Sequence, residues 1–192
     1  MRQALGDLQK EGLIFKIHGK GTFVSKPKAF QNVSSLKGLA EALSASGYEV
    51  VNRMCGFHFM SANSQVSQKL GLAEGETVTE IRRIRLVNRE PVSLEVTYLP
   101  EQIGQRLESA DLASRDIFVI LENDFGIPLG HAELAIDAME ADEDMADALA
   151  IVKGAPIMRI ERLTHTVDGA PLDFEFLYYR GDAFQYRLRI DR

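Results

Sequence analysis

The chain has 192 residues, 45% apolar and 26% charged, which suits one good-sized globular domain with a smaller appendage. No apolar run approaches the ~20 residues that span a bilayer and no signal-peptide pattern opens the sequence, so the cytoplasm is the expected compartment. A single cysteine, Cys55, excludes an internal disulfide and argues against a thiolate-built metal site; no metal and no cofactor are expected. The net charge of −6 argues against a nucleic-acid binder until the chain is divided. Residues 1–28 hold six basic and two acidic side chains, leaving 16 basic and 26 acidic ones in the rest. The basic end is where a phosphate-attracting field would lie.

In chain order, Met1–Leu13 has helical spacing, with Ala4, Leu5 and Leu8 on one stripe and Gly12 placed to end it. Two short β-prone runs, Ile14–Ile17 and Thr22–Val24, flank the basic turn His18-Gly19-Lys20-Gly21 and predict a hairpin. Ser25–Ser35 is polar, contains Pro27 and lacks a period, so it reads as a linker. Leu36, Leu39, Ala40 and Leu43 predict a helix ending near Gly47, and Tyr48–Met60 a strand. Ser61 is placed to cap a helix carrying Val66 and Leu70 and closed by Gly71. Thr77–Val87 and Pro91–Leu99 predict a hairpin around Asn88-Arg89-Glu90.

The later half repeats this order. His131–Met139 predicts a strand, Asp142 caps a helix with Met145 and Leu149, and Ile157–Thr166 with Pro171–Arg180 forms a second hairpin. Side by side, Gly75 aligns with Gly154, Val78 with Ile157, Ile81 with Ile160 and Arg83 with Arg162. After one inserted residue, Pro91 aligns with Pro171, Glu95 with Glu175 and Tyr98 with Tyr178. Two copies of a strand–helix–hairpin unit predict an α+β fold, one antiparallel β-sheet with helices packed against it. Related crevices in such a fold are usual places for a small-molecule pocket.

The helix MRQAL with EGLI and GKGTFV resembles the end of the winged helix-turn-helix of GntR-family bacterial transcription regulators. RIRLVNREPVSLEVTYLP, ENDFGIPLG and YYRGDAFQYRLRI resemble their UTRA effector-binding domain, as in the HutC/FarR-like subfamily. The resemblance implies a chorismate-lyase-like fold and a ligand-responsive, usually dimeric regulator of operator DNA. It divides the chain into residues 1–25, a partial winged helix with recognition helix and wing; 26–35, a linker; and 36–192, the UTRA domain.

The resemblance turns Arg2 and Gln3 toward the major groove, where Arg suits guanine and Gln suits adenine through paired hydrogen bonds. His18, Lys20 and Thr22 belong to the wing tip and its exits, where a basic turn can follow phosphates. In the body, Arg83 and Arg85 are two apart on a strand, so their side chains share a face. If that face lines a pocket, two guanidiniums call for an anion such as a ligand carboxylate. The resemblance makes this the effector-anchoring Arg-x-Arg and adds Glu95, Asp173 and Tyr179 as further contacts; a plain salt bridge from Glu95 to Arg83 or Arg85 is the competing reading.

Asp116 precedes a predicted helix, Ile117–Phe125, where relatives that bind sugar phosphates commonly carry serine. A carboxylate there repels phosphate, so the expected effector is a carboxylate with an amine or hydroxyls; simple N-capping by Asp116 is the alternative. A chorismate-lyase-like enzyme is a competing function. However, His18, His58, His131 and His165 are scattered and no nucleophile–base spacing is evident. A module restricted to sensing and dimerisation is the third reading.

Overall fold

The computed structural model describes residues 2–10, 14–17, 21–24 and 28–190. Helix α1 (Arg2–Lys10) precedes a two-stranded hairpin, β1 (Ile14–Ile17) and β2 (Gly21–Val24), with Ile14 opposite Val24 and Ile17 opposite Gly21. The basic turn between these strands, and Gly12, lie outside the described residues.

Three strands from each half build the body, a six-stranded antiparallel sheet in the order β4-β5-β6-β9-β8-β7. The first half supplies β4 (Val50–Ser61), β5 (Thr77–Val87) and β6 (Glu90–Pro100); the second supplies β7 (Leu129–Glu140), β8 (Pro156–Thr166) and β9 (Pro171–Arg180). The halves meet at the β6–β9 pairing, where Ser93 opposes Tyr179 and Thr97 opposes Glu175. The duplication read from the sequence holds at the backbone. Gly75 and Gly154 both have φ +81°, and each donates its N–H to an alanine just after the preceding strand, Ala62 or Ala141. Only glycine adopts that conformation without a Cβ penalty. Val78 with Ile157, and Ile81 with Ile160, are all buried, as paired copies of two core positions should be.

Each half inserts a short helix between its first two strands: α3 (Ser64–Leu70) and α6 (Glu143–Leu149). Asp142 caps α6 as expected, accepting from the Met145 N–H, but α3 is capped by Asn63 rather than Ser61. The first strand runs one residue past Met60, which leaves Ser61 inside the ladder opposite Thr77. On the opposite face of the sheet lie α4 (Glu101–Leu107) and α5 (Ile117–Asn123). Their Leu107, Ile117, Phe118, Ile120 and Leu121 pack with Ile81, Leu99 and Leu172.

The stretch read as a linker contains a strand. β3 (Ala29–Asn32) pairs in parallel with β10 (Phe184–Arg187), Ala29 opposite Phe184 and Asn32 opposite Arg187. Polar residues concealed it, because each strand of a two-stranded pair need bury only alternate positions; here these are Ala29 and Gln31. The next helix, α2 (Leu39–Ser44), buries Leu39 and Leu43 against Ala29, Tyr179 and Phe184. Leu36 falls outside that helix. No helix among the described residues is long and apolar enough to cross a membrane.

Candidate functional site

The face of the sheet beneath α5 is where the charge lies. Alternation along β5 puts Ile81, Arg83 and Arg85 on it. β6 adds Ser93, Glu95 and Thr97, and β9 adds Asp173, Glu175, Leu177 and Tyr179. In strand register Arg83 stands directly opposite Glu95, and in the second half Arg162 stands directly opposite Glu175. Cross-strand neighbours are close enough to bridge. Arg83 Nε and Nη2 lie 2.8 and 2.6 Å from Glu95 Oε2, and Arg162 Nε and Nη2 lie 2.5 Å from Glu175 Oε2. The duplication therefore carries a buried ion pair as well as a fold.

The copies then diverge. Where the first half has Arg85 opposite Ser93, the second has Thr164 opposite Asp173. One half gains a cation and the other an acid. Arg85 Nη1 reaches Glu95 Oε1 at 3.2 Å, and its Nη2 is bound by Asp116. Asp173 is completely buried, and neither of its oxygens nor the Thr164 hydroxyl has a protein partner. Burial and the neighbouring Glu175 push the Asp173 carboxyl well above the usual carboxylate range. Burial also pushes Glu95 upward, but Arg83, Arg85 and Arg162 outweigh it and hold this carboxyl down at about 2. Glu175 moves upward, through burial and the repulsion of Glu95.

All six body residues expected at the site thus lie on or against one buried face. Of these, Arg83, Arg85, Glu95 and Asp116 come together around a cleft of about 10 Å³, with Ile117 and Phe118 of α5 above them. That is room for a single water. The Tyr179 ring stacks on Phe184 at 4.2 Å within the α2 core. Glu95 fulfils the salt-bridge expectation with both arginines at once.

Asp116 departs from simple capping. It is the N-cap residue of α5, but its side chain makes no capping bond there. One oxygen binds Arg85, and the other accepts the Glu41 N–H of α2 at 2.9 Å. The loop that presents it is fixed from below. Arg83 Nη1 donates to the carbonyls of Leu112 and Arg115 at 3.3 and 3.4 Å, and Asn52 Nδ2 to that of Leu112 at 3.0 Å.

Arg162 was not among the expected contacts, although its alignment with Arg83 in the duplication was a usable signal. It lies under the Phe118 ring at 4.7 Å and lines the buried cleft. It also forms the floor of a crevice of about 300 Å³, bounded by Gln31, Leu36 and Lys37 on one side and by His131 and Leu134 of β7 on the other. That volume is at the lower bound for small-molecule sites. The expected DNA contacts are less fully placed. Thr22 is an exposed residue of β2; Arg2 and Gln3 are in α1, with side chains outside the description; His18 and Lys20 lie outside the described residues.

Residues 45–185 match the family described as UTRA domain. The HTH-type transcriptional repressor NagR of Bacillus subtilis is 30% identical across the whole chain, which covers 79% of that protein. The histidine utilization repressor of Pseudomonas putida is 25% identical over 85% of this chain and 65% of its own length. Among solved structures, PhnF from Mycobacterium smegmatis superposes with a TM-score of 0.87 at 24% identity, covering 99% of this chain and 83% of that one. The last likeness speaks to the fold.

Proposed function

This chain belongs to the UTRA-domain family of GntR-type transcription regulators, and from that premise we propose that it is a DNA-binding regulator controlled by a small carboxylate-bearing metabolite. In this reading residues 1–25 read operator DNA, with Arg2 and Gln3 toward base edges and His18, Lys20 and Thr22 in the wing. Residues 26–35 connect, residues 36–192 bind the effector, and the regulator works as a cytoplasmic homodimer. The ligand carboxylate is received by Arg83 and Arg85. Its remaining polar groups meet Glu95, Asp116 and Asp173, and its body extends past Arg162 toward the crevice beneath Lys37 and His131, with Tyr179 backing the site.

The observation that carries the reading is the burial of Arg83 and Arg85, 1% and 3% exposed, on one sheet face with a carboxylate-lined cleft. A surface strand has no need of such an arrangement, and buried, strongly coupled charges beside a cleft mark a candidate functional site. Effector and operator are linked through the conformations that each prefers.

The test is calorimetry of the purified chain against metabolites retained through native purification, with carboxylates and sugar phosphates as separate panels. A carboxylate is expected to bind, and Arg85→Gln to weaken it by about 100-fold, the loss of one bidentate charge-assisted contact. Tight binding of a sugar phosphate, or a carboxylate bound equally by Arg85→Gln, overturns the assignment.

A further inference from the structure

We infer that Asp116 is a built-in competitor for the effector's anionic group, and that displacing it from Arg85 releases the start of α2. This deepens the regulator reading and rests on it. The cleft around Arg85 holds about 10 Å³, too little for a carboxylate, so a protein group must leave before a ligand anion arrives. Two carboxylates hold Arg85. Glu95 is fixed by strand register and bridges Arg83 as well, so moving it breaks two ion pairs within the sheet. Asp116 comes from a loop outside the sheet and makes one ion pair. It is the group that can move at lower cost.

The same carboxylate serves α2. Gly38, the N-cap residue of α2, has no side chain to satisfy the helix's first N–H groups, and its own capping bond is absent. Asp116 fills the space left by that missing side chain: a Cβ at Gly38 would overlap its carboxyl group. It accepts from the Glu41 N–H, the third helical position, as an N-cap side chain would. One carboxylate thus closes the guanidinium and caps a helix in trans. An anion that takes Arg85 uncaps α2, which follows directly on β3 and the N-terminal segment. An extra negative charge beside Arg85 also disfavours a dianion more than a monoanion.

The experiment titrates sodium acetate and inorganic phosphate into the full chain in chloride-free buffer, following binding by NMR and hydrogen exchange at the Glu41 amide. Wild type, Asp116→Asn, Gly38→Ala and Arg85→Gln are compared. Asp116→Asn keeps size and a capping oxygen but removes the charge; Gly38→Ala pushes the carboxyl away without altering it. Both variants are expected to bind phosphate at least about tenfold more tightly than wild type, because the competent fraction rises. Saturating wild type with acetate is expected to speed Glu41 exchange.

Equal phosphate affinity in wild type and both variants, no anion binding in Asp116→Asn, or Glu41 protection unchanged at acetate saturation would overturn the inference. Arg85→Gln separates the two levels. If it abolishes binding while Asp116→Asn changes nothing, the anion site stands and the competitor role falls. If it binds as well as wild type, the arginine site itself falls.

Discussion

Asp173 is held on the sheet face by β9, between Thr164 across the strand and Glu175 two residues along, with no hydrogen-bond partner for either oxygen. Its raised pKa means that the folded chain grips a proton that the unfolded chain releases above the ordinary aspartate value near ~4. Stability from this group is therefore present at acid pH and lost as pH rises. Asp173→Asn keeps the shape and removes the titration. It is expected to stabilise the protein by roughly 1–3 kcal/mol at pH 8, with the gain vanishing toward pH 4, as measured by denaturant melts across that range. Glu95 has the opposite sign. Its carboxyl is held at about 2, so its contribution is full above the ordinary glutamate value and is lost as pH falls through about 2. Spacing alone placed Arg83 and Arg85 on one face, since strand alternation is a local property. It did not place Asp116 on Arg85, because that contact spans 31 residues and depends on the loop that carries it.

Helix α4 is seated by a close backbone approach as well as by its apolar packing. Gly104 sits within α4 against β5, and a Cβ there would overlap the Thr79 side chain. Alanine is the better helix former by about 1 kcal/mol, so a propensity argument favours Gly104→Ala. Packing argues the reverse. The substitution is expected to destabilise the chain by about 2 kcal/mol or more, visible as a lower melting temperature, because Thr79 is fully buried and has nowhere to retreat. The β5–β6 turn shows a different balance: Asn88 and Arg89 both have positive φ, and Asn88 Oδ1 accepts the Glu49 N–H at 3.0 Å. Hairpins, caps at Asp142 and Gly71, and the duplicated order were legible because each rests on neighbouring residues. β3 was not, since its partner β10 lies at the far end of the chain and its polar sequence carries no β period. α4 likewise gave no strong stripe; what identifies it is the contact of a glycine with a distant threonine.

At the scale of the molecule, the two halves share one sheet and divide the charge between them. The first copy holds an extra arginine, the second an extra aspartate, and Asp116 supplies the balancing anion from outside both. Neither half covers the inner edge of its sheet without the other, because the second edges of β6 and β9 are paired only with each other across the seam. Chemical denaturation of residues 45–185 is accordingly expected to be one cooperative transition, with probes in β4 and β7 reporting the same midpoint. Distinct midpoints would show that the halves fold as separate units.

The short parallel ladder between β3 and β10 has its own corollary. It pairs the strand just before the large sheet with the strand just after it, so the route from the N-terminal hairpin into that sheet is buckled by residues from the chain's other half. Cutting the polypeptide back to Asp182 leaves every strand of the large sheet intact yet unbuckles β3, and with it the footing of α2. A chain trimmed there should keep its large sheet and lose the tie that holds β3 beside it.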